Sequence, residues 1–262
     1  MISRLPAALL VVYLALPIGV LVIQAFAGRA VIDAIATAAV RDALVLSLMT
    51  TTVSLVIIVA LGTPLALLLA RGRFRGRALV ETVVDLPIVL PPAVAGLALL
   101  LVFGGRGVLG GALELAGISI PFTTLAVVMA QVFVAAPFFV RAARAGLANV
   151  DRQLEDAARD LGAGERQVAR HVTLPLAAPA LATGLVLCWS RALGEFGATI
   201  MFAGNVPGRT QTLPLVVYGE FQAGDLEASI AAAAILILAA FGVLLAVRTL
   251  HWRRALDLRA GG

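Results

Sequence analysis

The chain has 262 residues, 61% of them hydrophobic and 13% charged, with a mean hydropathy of +1.03, more apolar than any soluble domain of this length requires. All twenty basic residues are arginine, which excludes a phosphate-binding-loop lysine and a Schiff-base lysine. His171 and His251 are far apart and Cys188 stands alone, so no disulfide framework, metal-ligand cluster or nucleophile–base pair can be assembled, and an enzyme is not expected.

Six apolar runs, near residues 5–27, 43–70, 83–103, 123–140, 173–193 and 228–247, each approach or exceed the roughly 20 residues that cross a bilayer as a helix. The expected fold is all-α: one polytopic transmembrane bundle over 1–262. The first run, with Arg4 before it and Ala25-Phe26-Ala27 after it, also has the outline of a signal peptide. Its apolar stretch is longer than the usual core of such a peptide, and five further runs follow, so it reads as a retained span.

The run from Ala43 carries Ser47, Thr50, Thr51, Thr52 and Ser54, hydroxyls that either join helices, the commoner role, or line a pathway. It ends at Arg71, Arg73, Arg75 and Arg77, read as a stop-transfer, lipid-anchoring loop. Pro87, Pro91 and Pro92 then remove backbone donors within six residues, and predict either a kink or an irregular segment beside a conduit. Residues 104–122 are glycine-rich and read as a surface connection. After the fifth run, Arg191 and Glu195 sit at i, i+4 spacing near a span end. Mutual neutralisation is their first expected role, an anion contact or a gate the second. In residues 194–227, two apolar pieces too short to cross the bilayer flank a polar turn; they read as ordered, either re-entrant or resting on the outer mouth.

Charge sets the expected orientation. Fifteen of the twenty arginines fall near the two termini, in the 71–77 loop and in the 141–171 loop. The positive-inside rule places these segments, both termini included, in the cytoplasm. The net charge of +5 is then a matter of topology and contact with anionic membrane lipid, not of nucleic acid.

The cytoplasmic stretch from Asp151 to Pro175 holds five of the fifteen acids. Leu154, Ala157, Ala158 and Leu161 recur at helical spacing, Asp151 can cap the first turn, and Gly162 stands where such a helix stops. A short loop cannot cover this apolar stripe. The helix then lies on the bilayer or docks into a partner, with an ordinary solvated loop helix as the alternative that periodicity alone allows equally.

Asp156-Ala157-Ala158, Gly162 and Leu174-Pro175 resemble the Glu-Ala-Ala signature of binding-protein-dependent ABC importer permeases, with aspartate for the usual glutamate. Residues 73–77 with 85–92, and 191–205 with 207–214, resemble the molybdate branch of that family, with the sulfate and thiosulfate branch as the alternative. The resemblance implies a type I importer permease fold in the inner membrane and a homodimer with a path at its interface. It also implies separate ATP-binding cassette ATPase subunits that hold ATP and magnesium, and a periplasmic oxyanion-binding protein; no cofactor is implied in this chain. Glu155, Asp156, Ala157, Ala158, Leu161, Gly162, Leu174 and Pro175 would then couple to the ATPase. Pro87, Pro91, Pro92, Ser190, Arg191, Glu195 and Thr199 would line or gate the path of molybdate and tungstate. An ion-coupled carrier is a poorer reading, because the span centres are nearly free of charge.

Overall fold

The computed structural model describes residues 4–27 and 30–260, and every regular element among them is helical. Arg29 of the charge count lies outside the described residues, as do the side chains of Arg4, Arg248, Arg253, Arg254 and Arg259. The chain divides into two compact units, Leu48–Asn205 and a second made of Met1–Ser47 with Val206–Gly262.

In the discontinuous unit, α1 (Arg4–Phe26), α2 (Ala30–Ala36) and the start of α3 (Ala38–Arg71) lead into Leu48. The rest of α3 opens the continuous unit. There follow α4 (Arg77–Val89), α5 (Pro92–Phe103), α6 (Gly110–Leu115), α7 (Thr124–Ala148), α8 (Arg152–Asp160) and α9 (Glu165–Val168). A π turn (Ala169–Thr173) joins α9 to α10 (Leu174–Leu193), and α11 (Gly197–Phe202) closes the unit. The chain then returns to the first unit with α12 (Leu213–Gln222) and α13 (Leu226–Ala260).

Among the described residues, five helices are long and apolar enough to cross a membrane, and the bent pair α4–α5 makes six if counted as one span. The run expected as a single span at 83–103 is this pair, two helices meeting at 118°. The cause is local. Leu90 is extended (φ −68, ψ 132) because it precedes a proline, and Pro91-Pro92 restart the helix, Pro92 at its first position. Of the two expected outcomes for the prolines, the chain takes a sharp bend.

α7 is the axis of the continuous unit. Its first turn is capped by Thr123, whose hydroxyl accepts from the Ala126 N–H. It also runs past the expected end at 140 to Ala148, so the 141–171 loop begins as helix. Arg141 and Arg144 therefore project from an ordered rod, and Arg144 pairs with Glu81 of α4 at 2.6 Å. Phe139, Val140, Ala143 and Leu147 of α7 pack with Ile58 and Leu69 of α3 and with Ala177 and Cys188 of α10. At the α7–α10 seam Gly146 faces Ala180 and Gly184 faces Ala142, small against small, which lets the backbones close up. The hydroxyl run of α3 is used as expected: Ser54 Oγ donates to Gln131 Oε1 of α7 (2.9 Å) and Gln131 Nε2 donates to Thr50 Oγ1 (3.2 Å). Residues 104–122, read as a plain connection, carry α6 and are tied back to α5 by Val108 N–H to Leu101 O (3.0 Å) and Leu109 N–H to Val102 O (2.8 Å).

The discontinuous unit has a core of small and branched residues, Ala25, Val40, Ala43, Val216, Ala231 and Ile235 among them. α12, ten residues and about 15 Å long, cannot cross a bilayer. It is held by Leu213 N–H on Ser47 Oγ (2.8 Å) and by Ser229 Oγ on Val217 O (2.9 Å).

The second apolar core joins α5, α7 and α11 through Ala95, Leu99, Val127, Ala130, Ala198 and Phe202. Here Gly96 leaves no room: a Cβ would lie 2.6 Å from Ala198 O and 2.9 Å from Ala198 Cα. Gly96→Ala must therefore push α5 off α11, at a cost of about 1–3 kcal/mol. Thermal denaturation of the detergent-solubilised protein should show a lowered midpoint for Gly96→Ala and none for Gly111→Ala, where the added carbon meets nothing within 4 Å.

Candidate functional site

Two places gather the functional candidates. The first is the segment from α8 to the start of α10. Asp151 accepts the Gln153 N–H at 2.9 Å and so caps α8. At the other end Gly162 adopts φ +90. Its N–H bonds Arg159 O (2.8 Å) and the Ala163 N–H bonds Ala158 O (3.0 Å), the paired reverse bonds of a Schellman stop, which glycine adopts at least cost. The helix between them is inverted relative to an ordinary surface helix. Leu154 is 50% and Leu161 90% exposed; Asp156, Ala157 and Gly162 are exposed and Ala158 half-buried. Its single buried side chain is Glu155.

Glu155, grouped in the sequence with the residues expected to couple to the ATPase, is turned into the protein. Its Oε1 accepts from Arg71 Nη2 (2.9 Å) and from Thr173 Oγ1 (2.7 Å), and the same Nη2 donates to Val150 O (3.1 Å). Arg71 is thus a structural partner rather than part of a lipid-anchoring loop; Arg77 likewise pairs with Glu81 at 2.9 Å. Arg71 stood out in the sequence only as one of four loop arginines, and Thr173 was given no role there. The available signal was an arginine ending one apolar run and a threonine opening another.

On the outer side, Arg159 bridges α8 and α9. Its Nη1 bonds Asp156 Oδ1 (2.7 Å), its Nε bonds Glu165 Oε1 (2.7 Å), and its Nη2 bonds Glu165 Oε2 (3.2 Å). Beyond α9 the helix widens. The Leu174 N–H reaches back five residues to Ala169 O, and Pro175, next in line, has no N–H to give. Leu174 is half-buried and Pro175 exposed in the first turn of α10.

The second place is the end of α10. Arg191 Nη1 lies 2.6 Å from Glu195 Oε2, and Glu195 is wholly buried. The other carboxylate oxygen accepts the Ala198 N–H at 2.7 Å, so Glu195 neutralises Arg191 and caps α11 at once. This segment meets the proline bend: a Cβ on Gly197 would lie 2.8 Å from Pro92 Cβ. The structure therefore brings Pro92 and the 195–199 residues together. Pro91 and Pro92 are exposed, and Pro87 and Ser190 half-buried. Thr199 is fully buried, in the packing of α11 rather than on an open surface.

Residues 62–255 match the family described as the binding-protein-dependent transport system inner membrane component. The chain belongs to this family. The molybdenum transport system permease protein ModB of Mycobacterium tuberculosis is 42% identical over 243 residues, 93% of this chain and 91% of that protein. ModB of Escherichia coli is 43% identical over 178 residues, 68% of this chain and 78% of that protein. A probable molybdenum ABC transporter permease protein of Haloferax volcanii is 39% identical over 249 residues, 95% and 89% of the two chains. Among solved structures, a bacterial ABC transporter that imports the acidic polysaccharide alginate superposes with a TM-score of 0.79 at 18% identity, covering 95% of this chain and 93% of that one. The MetNI methionine ABC transporter in an inward-facing form gives 0.61 at 21%, covering 81% and 92%. These two establish the fold, that of type I ABC importer permeases. As a member of the family the chain is a transport component of the inner membrane.

Arg159, hydrogen-bonded to Glu165, holds that carboxyl below its ordinary value of 4.5. The ionised form favours the folded arrangement, so the α8–α9 link is complete above the ordinary value and fades as pH falls through the lowered one. Amide exchange at Ala163 and Gln167, corrected for intrinsic rates, should stay protected from neutral pH to about 4.5 and rise only below it. Loss of protection near pH ~6 would contradict the assignment.

Proposed function

We propose that the chain is the transmembrane subunit of an ATP-driven importer that carries molybdate, and also tungstate, into the cytoplasm. The observation that carries this reading is 42% identity to a molybdenum permease over 93% of the chain. In it, α8 is the coupling helix. Its open apolar side, Leu154, Ala157 and Leu161, with Asp156 beside it, is the surface offered to a separate ATP-binding cassette subunit, where ATP and magnesium are held. Small Ala157, Ala158 and Gly162 allow close seating; a bulky side chain there blocks it. Two copies of the chain enclose the path, a periplasmic binding protein delivers the anion, and both termini and α8 face the cytoplasm, an orientation the arginine count supports.

The second place fits a dianion in transit. An uncompensated arginine at membrane depth would hold a dianion rather than release it. Arg191 is instead paired at 2.6 Å with a buried carboxylate, which leaves a dipole and not a net charge beside Pro92 and Ser190. Passage then depends on neutral donors and on the bent α4–α5 segment as a wall.

Two outcomes test the reading. ATP hydrolysis by the reconstituted permease–cassette complex should rise when its binding protein is loaded with molybdate or tungstate and stay flat with sulfate. Stimulation by sulfate alone would move the chain to the sulfate branch. Gly162→Glu should assemble poorly with the cassette subunit and lose stimulated hydrolysis while the spans stay folded by circular dichroism; wild-type assembly and hydrolysis would remove α8 from the coupling role.

A further inference from the structure

α8 is fastened to the protein in an unusual way. The apolar residues that normally hold a surface helix down are exposed, and the one buried side chain is the carboxylate of Glu155. A single oxygen of that carboxylate takes a guanidinium N–H from Arg71, the last residue of α3, and a hydroxyl from Thr173, the last residue of the π turn before α10. The same Arg71 nitrogen also holds Val150 O, one residue before the cap of α8. Two elements distant in sequence and the root of α8 therefore converge on two atoms.

We infer that Arg71, Glu155 and Thr173 form the joint that transmits displacement of α8 to α3 and α10 together, as positioning residues for transport and not as contacts for a partner subunit. The argument is one of directionality. Apolar contact is non-directional and lets a helix roll or slide over its support. A charge-assisted hydrogen bond has a narrow range of length and angle, so it resists shear in every direction. With the apolar stripe left outward for docking, this polar junction is the side-chain link described between α8 and α3, while α10 is reached both through it and through the Arg159–Glu165 bridge to α9. The π turn contributes: it is the wider turn that ends on Thr173, buried at 3% exposure and aimed at Glu155.

The inference rests on the coupling role of α8, and the experiment separates the two. The complete importer, with cassette subunits and binding protein, is reconstituted in vesicles. Co-purification, ATP hydrolysis and molybdate accumulated per ATP are measured for the wild type, Glu155→Ala, Thr173→Val and the exchange Arg71→Glu with Glu155→Arg. Glu155→Ala should assemble and hydrolyse ATP but accumulate about tenfold less molybdate per ATP, within the range of typical inter-site coupling. Thr173→Val, which keeps the shape and removes one hydrogen bond, should fall between, and the exchange, which restores the ion pair but sets a carboxylate where Arg71 donated to Val150 O, should recover part of the ratio lost in Glu155→Ala. A wild-type ratio in Glu155→Ala, or in Thr173→Val should Glu155→Ala fail to assemble, overturns the joint while leaving the coupling role intact. An assembled exchange variant no better than Glu155→Ala overturns it too. Failure of the wild-type chain to assemble with any cassette subunit removes both.

Discussion

In hydrocarbon a peptide group has no water to turn to, and every N–H and C=O must find its partner inside the protein. Most of this architecture follows from that constraint. It makes helices the only regular element among the described residues, and it makes two prolines in succession an event. Where Pro91 and Pro92 withdraw two donors in succession, the chain does not bend gently but turns by 118° and starts a new helix. The exposed turn this creates is met by α11, with Gly197 against Pro92 and Ala198 against Gly96. The glycines are small because backbone is packing on backbone.

The same constraint governs charge. Among the described residues two carboxylates, Glu155 and Glu195, are buried, and each has two partners. Glu195 is neutralised by Arg191 and caps α11; Glu155 takes Arg71 and Thr173. A lone charge in either position would be costly, so each carboxylate fixes the geometry of several elements around it. One holds an irregular segment at the end of a span, the other holds a helix whose apolar residues are turned away.

What the sequence discloses and what it conceals divide along sequence separation. The helical character of the apolar runs, the cap at Asp151, the stop at Gly162 and the break at the prolines all depend on residues within a few positions of each other, and all were readable. The pairing of Arg71 with Glu155 spans 84 positions, and no periodicity carries it. Arg71 looked like one of four equivalent arginines, and Glu155 like one of the residues grouped around the Asp156-Ala157-Ala158 signature. The same holds for α7: the apolar run ends at 140 and Arg141 and Arg144 were counted in the following loop, whereas the helix continues and the two pair with Asp85 and Glu81 of α4. Thr199 was expected on a path because it is polar; in the fold it is enclosed by α11 packing.

The π turn has a consequence for phase. An α-helix advances about 100° per residue, and a π turn is in effect one residue inserted without a break. The faces of α9 and α10 are therefore out of step by about that angle relative to a continuous helix, and Thr173 points inward because of it. Loss of a single residue between Ala169 and Thr173 would restore a regular helix and keep every cap, every apolar run and the whole signature. It would nonetheless rotate the α8 side of the chain against α10 and aim the exposed apolar residues of α8 elsewhere. In this segment spacing is as much a part of the specification as residue identity.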